Sequence, residues 1–344
     1  MMKKRHILHW AMGVIFMPLL GSCTSDDIGG AGREECDIIS GQPMTVTSAT
    51  RATDGGNSSN QFDPGEIVWL WAIKENTPTE HITAWKLKAD NNSGFYSATT
   101  GADKYWPSDG SKLNVYALHG NFKNSTSISE GTTQWSNLSL THTVETNQTS
   151  DNNKRLSDLL YSHKSSVAPN NTVQLAFDHL LAKITVKLDL DNSKGIKAPD
   201  LSNATVKLTN IQPEATISNE SLTVNSEKTN TTGTHTTITA GKIPSSINSG
   251  DVIGSAIVPL QNFGGGKGSD SENNVITITL AYPDSRSFSY TPTPYVALTA
   301  GKEYIYTLKI INGELSVSSI SVQGFAVETT QEKKWDIYVE PSGS

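Results

Sequence analysis

The sequence predicts an all-β protein made of two tandem β-sandwiches, on three observations. Short runs of alternating apolar and polar residues recur along the chain, the period-two pattern of half-buried strands. Loops rich in Asn, Ser, Gly and Asp separate these runs, and no long stretch carries helical periodicity. The third is bulk composition: 35% hydrophobic and 18% charged residues are both low, and Thr, Ser, Asn and Gly make up the balance. That mixture suits sheets with polar outer faces, while the periodic segments are too apolar for disorder. A length of 344 residues accommodates about two domains.

In order along the chain, residues 44–50 alternate weakly, with Met44, Val46 and Ser48 on one face and Thr45, Thr47 and Ala49 on the other. A strong strand follows at 66–73, in which Trp69 and Trp71 share parity and so face one side together. Further strands are expected at 83–87, 94–97, 113–118 and 133–140. The polar stretch 141–170, ending in SSVAPNN, marks the expected boundary between a first sandwich at 41–170 and a second at 171–344. Next comes VQLAFDHLLAKITVKLDL, in which Val173, Leu175 and Phe177 have odd parity while Ile184, Val186, Leu188 and Leu190 have even parity. A one-residue slip turns an apolar set outward, so a bulge or a single helical turn is expected within 178–183. Later strands are expected at 204–208, 222–224, 236–239, 251–258, 275–282, 304–311, 315–324 and 335–339, with a glycine-rich loop at 261–274.

The amino terminus has the grammar of export. Lys3, Lys4 and Arg5 precede an apolar run over 7–20, too short and too closely followed by polar residues to span a membrane. It ends in Leu20-Gly21-Ser22-Cys23, which resembles a bacterial lipobox, so residues 1–22 read as a lipoprotein signal peptide and Cys23 as the lipidated residue. A lipid chain anchors by burying methylenes at ~0.8 kcal/mol each. Residues 23–40 read as a tether, and Thr24-Ser25-Asp26-Asp27 resembles the acidic tag of surface-exposed outer-membrane lipoproteins of the Bacteroidota. Cys36 is the only other cysteine, so no disulfide framework is expected.

Chemistry is sparse. A net charge of -7 argues against nucleic acid as a partner, because phosphate binding needs a basic face. There is no His-Glu-x-x-His and no Gly-x-Ser-x-Gly, and the six histidines beyond the leader lack metal-ligand spacing. His179, flanked by apolar residues, reads as structural. The GGGKGS of 264–269 lacks the Ser or Thr after Lys267 that a phosphate loop needs, and reads as a loop. No catalytic residue, metal site or cofactor is expected. Trp69, Trp71, Trp85, Trp106, Trp135 and Trp335 are either core aromatics between sheets or, for an exposed subset, a platform for sugars.

The lipobox at Cys23, TRATDGG at 50–56, LAFDHLLAKITVKL at 175–188 and LTAGKEYIYTLKI at 298–310 occur in an order that resembles the fimbrillin family, the subunits of type V pili of the Bacteroidota. The resemblance implies two tandem sandwiches of transthyretin-like Greek-key type. It also implies lipoprotein export to the cell outer membrane, proteolytic removal of an N-terminal segment, and polymerisation into a fimbria by strand exchange. The implied partners are other fimbrial subunits and an arginine-specific protease.

The residues supply a physical basis. Cleavage between Arg51 and Ala52, in a glycine-rich loop, would free the strand that carries Met44, Val46 and Ser48. An open groove with unpaired edges invites a replacement strand. Trp335, Ile337 and Val339 alternate with polar neighbours within 334–341 and offer a donor strand three anchors, at about 1.5–3 kcal/mol each when buried. Head-to-tail donation does not close, so it makes a filament. Plainer readings coexist: Arg51 as an ordinary surface arginine, 335–339 as the last resident strand, and a tip or an anchor subunit, of which the anchor would keep its lipid. A monomeric glycan-binding surface lipoprotein and an enzyme with paired carboxylates hidden from the sequence are the rivals from other classes.

Overall fold

A computed structural model describes residues 41–50, 62–90, 92–122, 128–190, 201–218, 235–265, 273–280, 286–311 and 314–325. The chain is all-β. Its first half holds β1 (Val46–Thr50), β2 (Ile67–Lys74), β3 (Glu80–Ala89), β4 (Gly94–Ser97), β5 (Leu113–His119), β6 (Ser139–Thr143), β7 (Leu160–Val167), β8 (Val173–Ala176) and β9 (Asp178–His179), with one short helix, α1 (Asp151–Ser157), before β7. The second half holds β10 (Ala182–Asp189), β11 (Thr205–Ile211), β12 (Glu214–Ser218), β13 (Thr236–Lys242), β14 (Asp251–Val258), β15 (Asn262–Phe263), β16 (Val275–Thr279), β17 (Ser287–Tyr290), β18 (Val296–Ala297), β19 (Lys302–Ile311) and β20 (Glu314–Gly324).

Eight strands of the first half make one sheet in the order β8-β1-β4-β3-β2-β5-β7-β9. Its two margins, β8 and β9, are separated along the chain by Phe177 alone. Two peptide links span at most about 7.6 Å, so the sheet rolls until its margins meet. Inside the roll, Val68, Leu70, Leu113, Val115, Leu175 and their neighbours form a closed apolar cluster.

The second sandwich faces a β14-β10-β19-β20 sheet against a β13-β11-β16-β17 sheet. β10 lies between β14, antiparallel, and β19, parallel. It is buried on both faces from Ala182 to Val186 although its sequence alternates, because Lys183 and Thr185 on the second face are both partnered by Glu303. Where β13 and β14 approach, a Cβ on Gly241 would strike the Ile253 carbonyl oxygen. Only glycine permits that closeness.

The two sandwiches share apolar packing. Trp71, Ala84 and Leu118, on the outer face of the first sheet, belong to the same buried cluster as Ile184, Val206 and Tyr306 of the second. β6 leaves the first half to pair with β12. Gln148 is fully buried, and its side-chain amide pairs with Ile257 in both directions, accepting from its N–H at 2.8 Å and donating to its carbonyl at 2.9 Å.

Several expectations change. The strand expected at 133–140 is a tight helical turn at Trp135–Asn137 followed by β6, because Trp135 folds onto Trp71 (ring centroids 5.4 Å apart) instead of continuing a ladder. The polar stretch 141–170 holds α1 and β7. Ser150 caps α1 by accepting from the Asn153 N–H. β8 and β9, beyond residue 170, pair in the first sheet. The parity flip expected as a bulge or helical turn in 178–183 is the passage from that sheet into the second sandwich. His179 and Leu181 still point inward on odd parity, then Ala182 to Val186 are buried on both. The strands expected at 222–224 and 335–339 lie outside the described residues.

Candidate functional site

β1 occupies an interior slot of the first sheet, one strand in from the seam. It runs antiparallel to β4, with Val46 opposite Phe95 and Thr47 opposite Gly94. It runs parallel to β8, with Val46 beside Val173 and Ser48 beside Leu175. Bonds outside the ladder extend the grip in both directions. The Met44 N–H donates to the Lys104 carbonyl at 2.8 Å, the Ser48 N–H to the Ser93 carbonyl at 2.8 Å, and the Val173 N–H to the Thr45 carbonyl at 2.9 Å.

Met44 and Val46 point into the roll and are buried, and Ser48 follows on the same face, half-buried, while Thr45 is exposed. The slot floor belongs to the buried cluster that contains Trp106, Val173, Leu175 and Phe177, with Phe95 packed against it. Phe62 makes edge contacts with Phe95 at 5.5 Å and Phe177 at 5.0 Å. Ser48 is the weak position: its Oγ is buried and has no hydrogen-bond partner among the described residues.

The sequence-derived residues divide cleanly. Met44, Val46 and Ser48 come together in the slot. Cys23, Cys36, Arg51, Ala52, Trp335, Ile337 and Val339 lie outside the described residues. Arg51 directly follows the last residue of β1.

Among the described residues the tryptophans do not form a sugar platform. Trp71, Trp85, Trp106 and Trp135 are buried. The Trp71 indole donates to the Thr133 carbonyl at 2.9 Å, and the Trp85 indole to Ser97 Oγ at 3.0 Å. Trp69 does share its face with Trp71, yet it is half-buried and Lys86 Nζ lies 5.6 Å from its ring centre. Trp135 instead stacks on Tyr116 at 4.5 Å, and Tyr116 on His163 at 4.6 Å, so both faces of that tyrosine are already occupied.

The polar groups inside the protein are structural. His179 pairs with Asp158 at 2.8 Å and stacks on Phe325, where the chain leaves β20 at the seam between sandwiches. Lys183 and Glu303 face each other across β10 and β19 at 3.5 Å. Burial works against the Glu303 carboxylate, but Lys183 and donors from Thr185 and Gln323 outweigh it and leave its pKa lowered. His142 is buried entirely and its pKa falls to about 4 through desolvation, against the pull of its bond to Ser157 and the charge of Asp158. Sequence reading missed both His142 and Gln148: His142 falls in step with the buried Leu138, Leu140 and Val144, a signal that could have found it, while Gln148 stands in no apolar pattern. Among the described residues no three His, Cys, Asp or Glu side chains gather to hold a metal ion.

No curated protein sequence matches the chain. Solved structures share its fold at low identity. A candidate cell-adhesion protein of Bacteroides ovatus superposes with a TM-score of 0.63 at 14% identity, over 83% of this chain and 99% of its own. A candidate cell-adhesion protein of Bacteroides uniformis gives 0.57 at 18% identity, over 83% and 97%. The tip fimbrial protein Mfa3 of Porphyromonas gingivalis, C-terminally truncated, gives 0.49 at 10% identity, over 82% and 100%. The fimbrillin-like family matches residues 50–324, from the last residue of β1 to the last residue of β20, and by that match the chain belongs to the fimbrillin-like family.

Proposed function

We propose that the protein is a non-enzymatic structural subunit of a cell-surface pilus, exported as a lipoprotein through Cys23, cut after Arg51, and polymerised by exchange of β1 for a strand of a neighbouring subunit. Family membership supports the pilus role. The observation that carries the assembly step is the position of β1. It fills an interior slot of a rolled sheet, and the proposed cut falls one residue beyond its end at Thr50. Loss of β1 would leave β4 and β8 with unpaired edges and uncover Val173 and Leu175, an apolar groove that takes up an added strand. The donor strand assigned to the vacancy is 334–341 of the next subunit, presenting Trp335, Ile337 and Val339. The boundaries of the proposed parts are 1–22 for the signal peptide, 23–40 for the tether, and two sandwiches thereafter.

Arg51→Ala tests this. In cells the variant is expected to remain a full-length, membrane-bound lipoprotein and to give no high-mass ladder on gels of unboiled samples. The natural chain is expected to yield a ladder and an N-terminal residue of Ala52. Normal filaments from the variant would refute the assignment.

A further inference from the structure

Ser48 stands where a strand built to stay would carry an apolar side chain. Its two partners on the inward face, Met44 and Val46, are buried and apolar. Beside Ser48 in the adjoining strand lies Leu175, itself fully buried. The Ser48 hydroxyl is enclosed without a hydrogen-bond partner among the described residues. Burying a hydroxyl unpaired subtracts from the stability of whatever holds it. The oxygen therefore weakens the grip of β1 on its slot and contributes nothing to the fold that retains it.

Resting on the strand-exchange reading above, we infer that Ser48 is the release point of the slot. It sets how fast β1 leaves after the cut at Arg51, and the incoming strand gains over β1 by placing an apolar side chain at this register. The spacing of the proposed donor fits. Met44, Val46 and Ser48 lie at i, i+2 and i+4, as do Trp335, Ile337 and Val339. A donor running in the direction of β1 brings Val339 to the Ser48 position, and one running the other way brings Trp335. The first polarity replaces the hydroxyl by an apolar side chain of modest size, so exchange is downhill at that site when the donor runs in the direction of β1; the second would force a tryptophan into a serine-sized space. The occupant is a second copy of this chain.

The experiment follows release of the cut strand. In a full-length chain carrying Cys23→Ser, Cys36 is the single thiol; a fluorophore there travels with β1 after cleavage at Arg51. The cut protein is mixed with an excess of a synthetic peptide of residues 333–341, and loss of the label is timed by anisotropy. Ser48→Ala removes only the oxygen and fits wherever serine fits, and Ser48→Val adds apolar contact. The Ala variant is expected to release β1 about ten-fold more slowly than the serine protein, and the Val variant at least as slowly. Thermal melting before cleavage checks that each variant is folded. Release within two-fold of the serine protein in the Ala variant would overturn the role of Ser48. If label leaves and ladders form in every variant at one rate, strand exchange stands and this inference falls. If the serine protein itself neither releases label nor forms ladders, strand exchange falls and the inference with it.

Discussion

Single residues buried with a chemical commitment decide the pH response of the protein. The Asn121 N–H donates to His142 Nδ1 at 2.9 Å, so that nitrogen carries no proton, and Nε2–H donates to the Ser157 carbonyl at 2.9 Å. Protonating Nδ1 would break the first bond and bury a charge. Desolvation accordingly lowers the pKa from 6.5 to about 4. In the unfolded chain the ring takes up a proton first as pH falls. The contribution of His142 is therefore present above pH 6.5 and is lost between 6.5 and about 4, by about 3 kcal/mol in total. Urea unfolding at pH 7 and at pH 4.5 is expected to show that decline, and His142→Gln, which can keep one donor and one acceptor, is expected to flatten it. An equal decline in both proteins would place the sensitivity elsewhere.

At the scale of elements, β1 predicts an asymmetry between its faces. Val46 is 1% exposed, so Val46→Ala in the uncut chain is expected to destabilise it by about 2 kcal/mol, from lost burial and the cavity left behind. Thr45 points outward, and Thr45→Ala is expected to stay within about 0.5 kcal/mol. Denaturant titration of both variants checks this, and comparable losses would mean that β1 is not seated as described. The face assignment of β1 was legible in the sequence, because Met44 and Val46 alternate with threonines. Its partners were not, because pairing with β8 joins positions more than a hundred residues apart and one of the pairings is parallel. β4 and β14 were legible to the residue, each a clean run between turn-forming residues. β7 was hidden, since a serine, Ser162, takes one of its buried positions and erases the alternation. α1 was hidden because seven residues with Leu156 as their one large apolar side chain carry no helical stripe. The parity flip at 181–182 was visible, but a change of sheet and a bulge leave the same trace in sequence. Only the paired strands tell them apart.

At the scale of the whole molecule, the sandwiches share one apolar cluster, and that bears on what a pilus subunit must withstand. Trp71 is fully buried on the outer face of the first sheet, yet it packs within the cluster that fills the second sandwich. Gln148 ties the connecting segment to the backbone of β14 with two bonds to Ile257, and its amide also donates to the Glu145 carbonyl at 3.1 Å. Separating the sandwiches would expose that apolar surface and strand those polar groups, each at about 1–3 kcal/mol. Neither sandwich has a reason to unfold alone while the other persists. Calorimetry of the uncut chain is thus expected to give one transition, coincident by far-ultraviolet circular dichroism and tryptophan fluorescence. Trp71→Ala is expected to lower stability by about 3–5 kcal/mol and to shift the signals of both halves together. Two resolved transitions in the natural chain would mean that the shared cluster does not couple them, and a filament of such subunits would yield under load at the junction instead of at the strand that joins one subunit to the next.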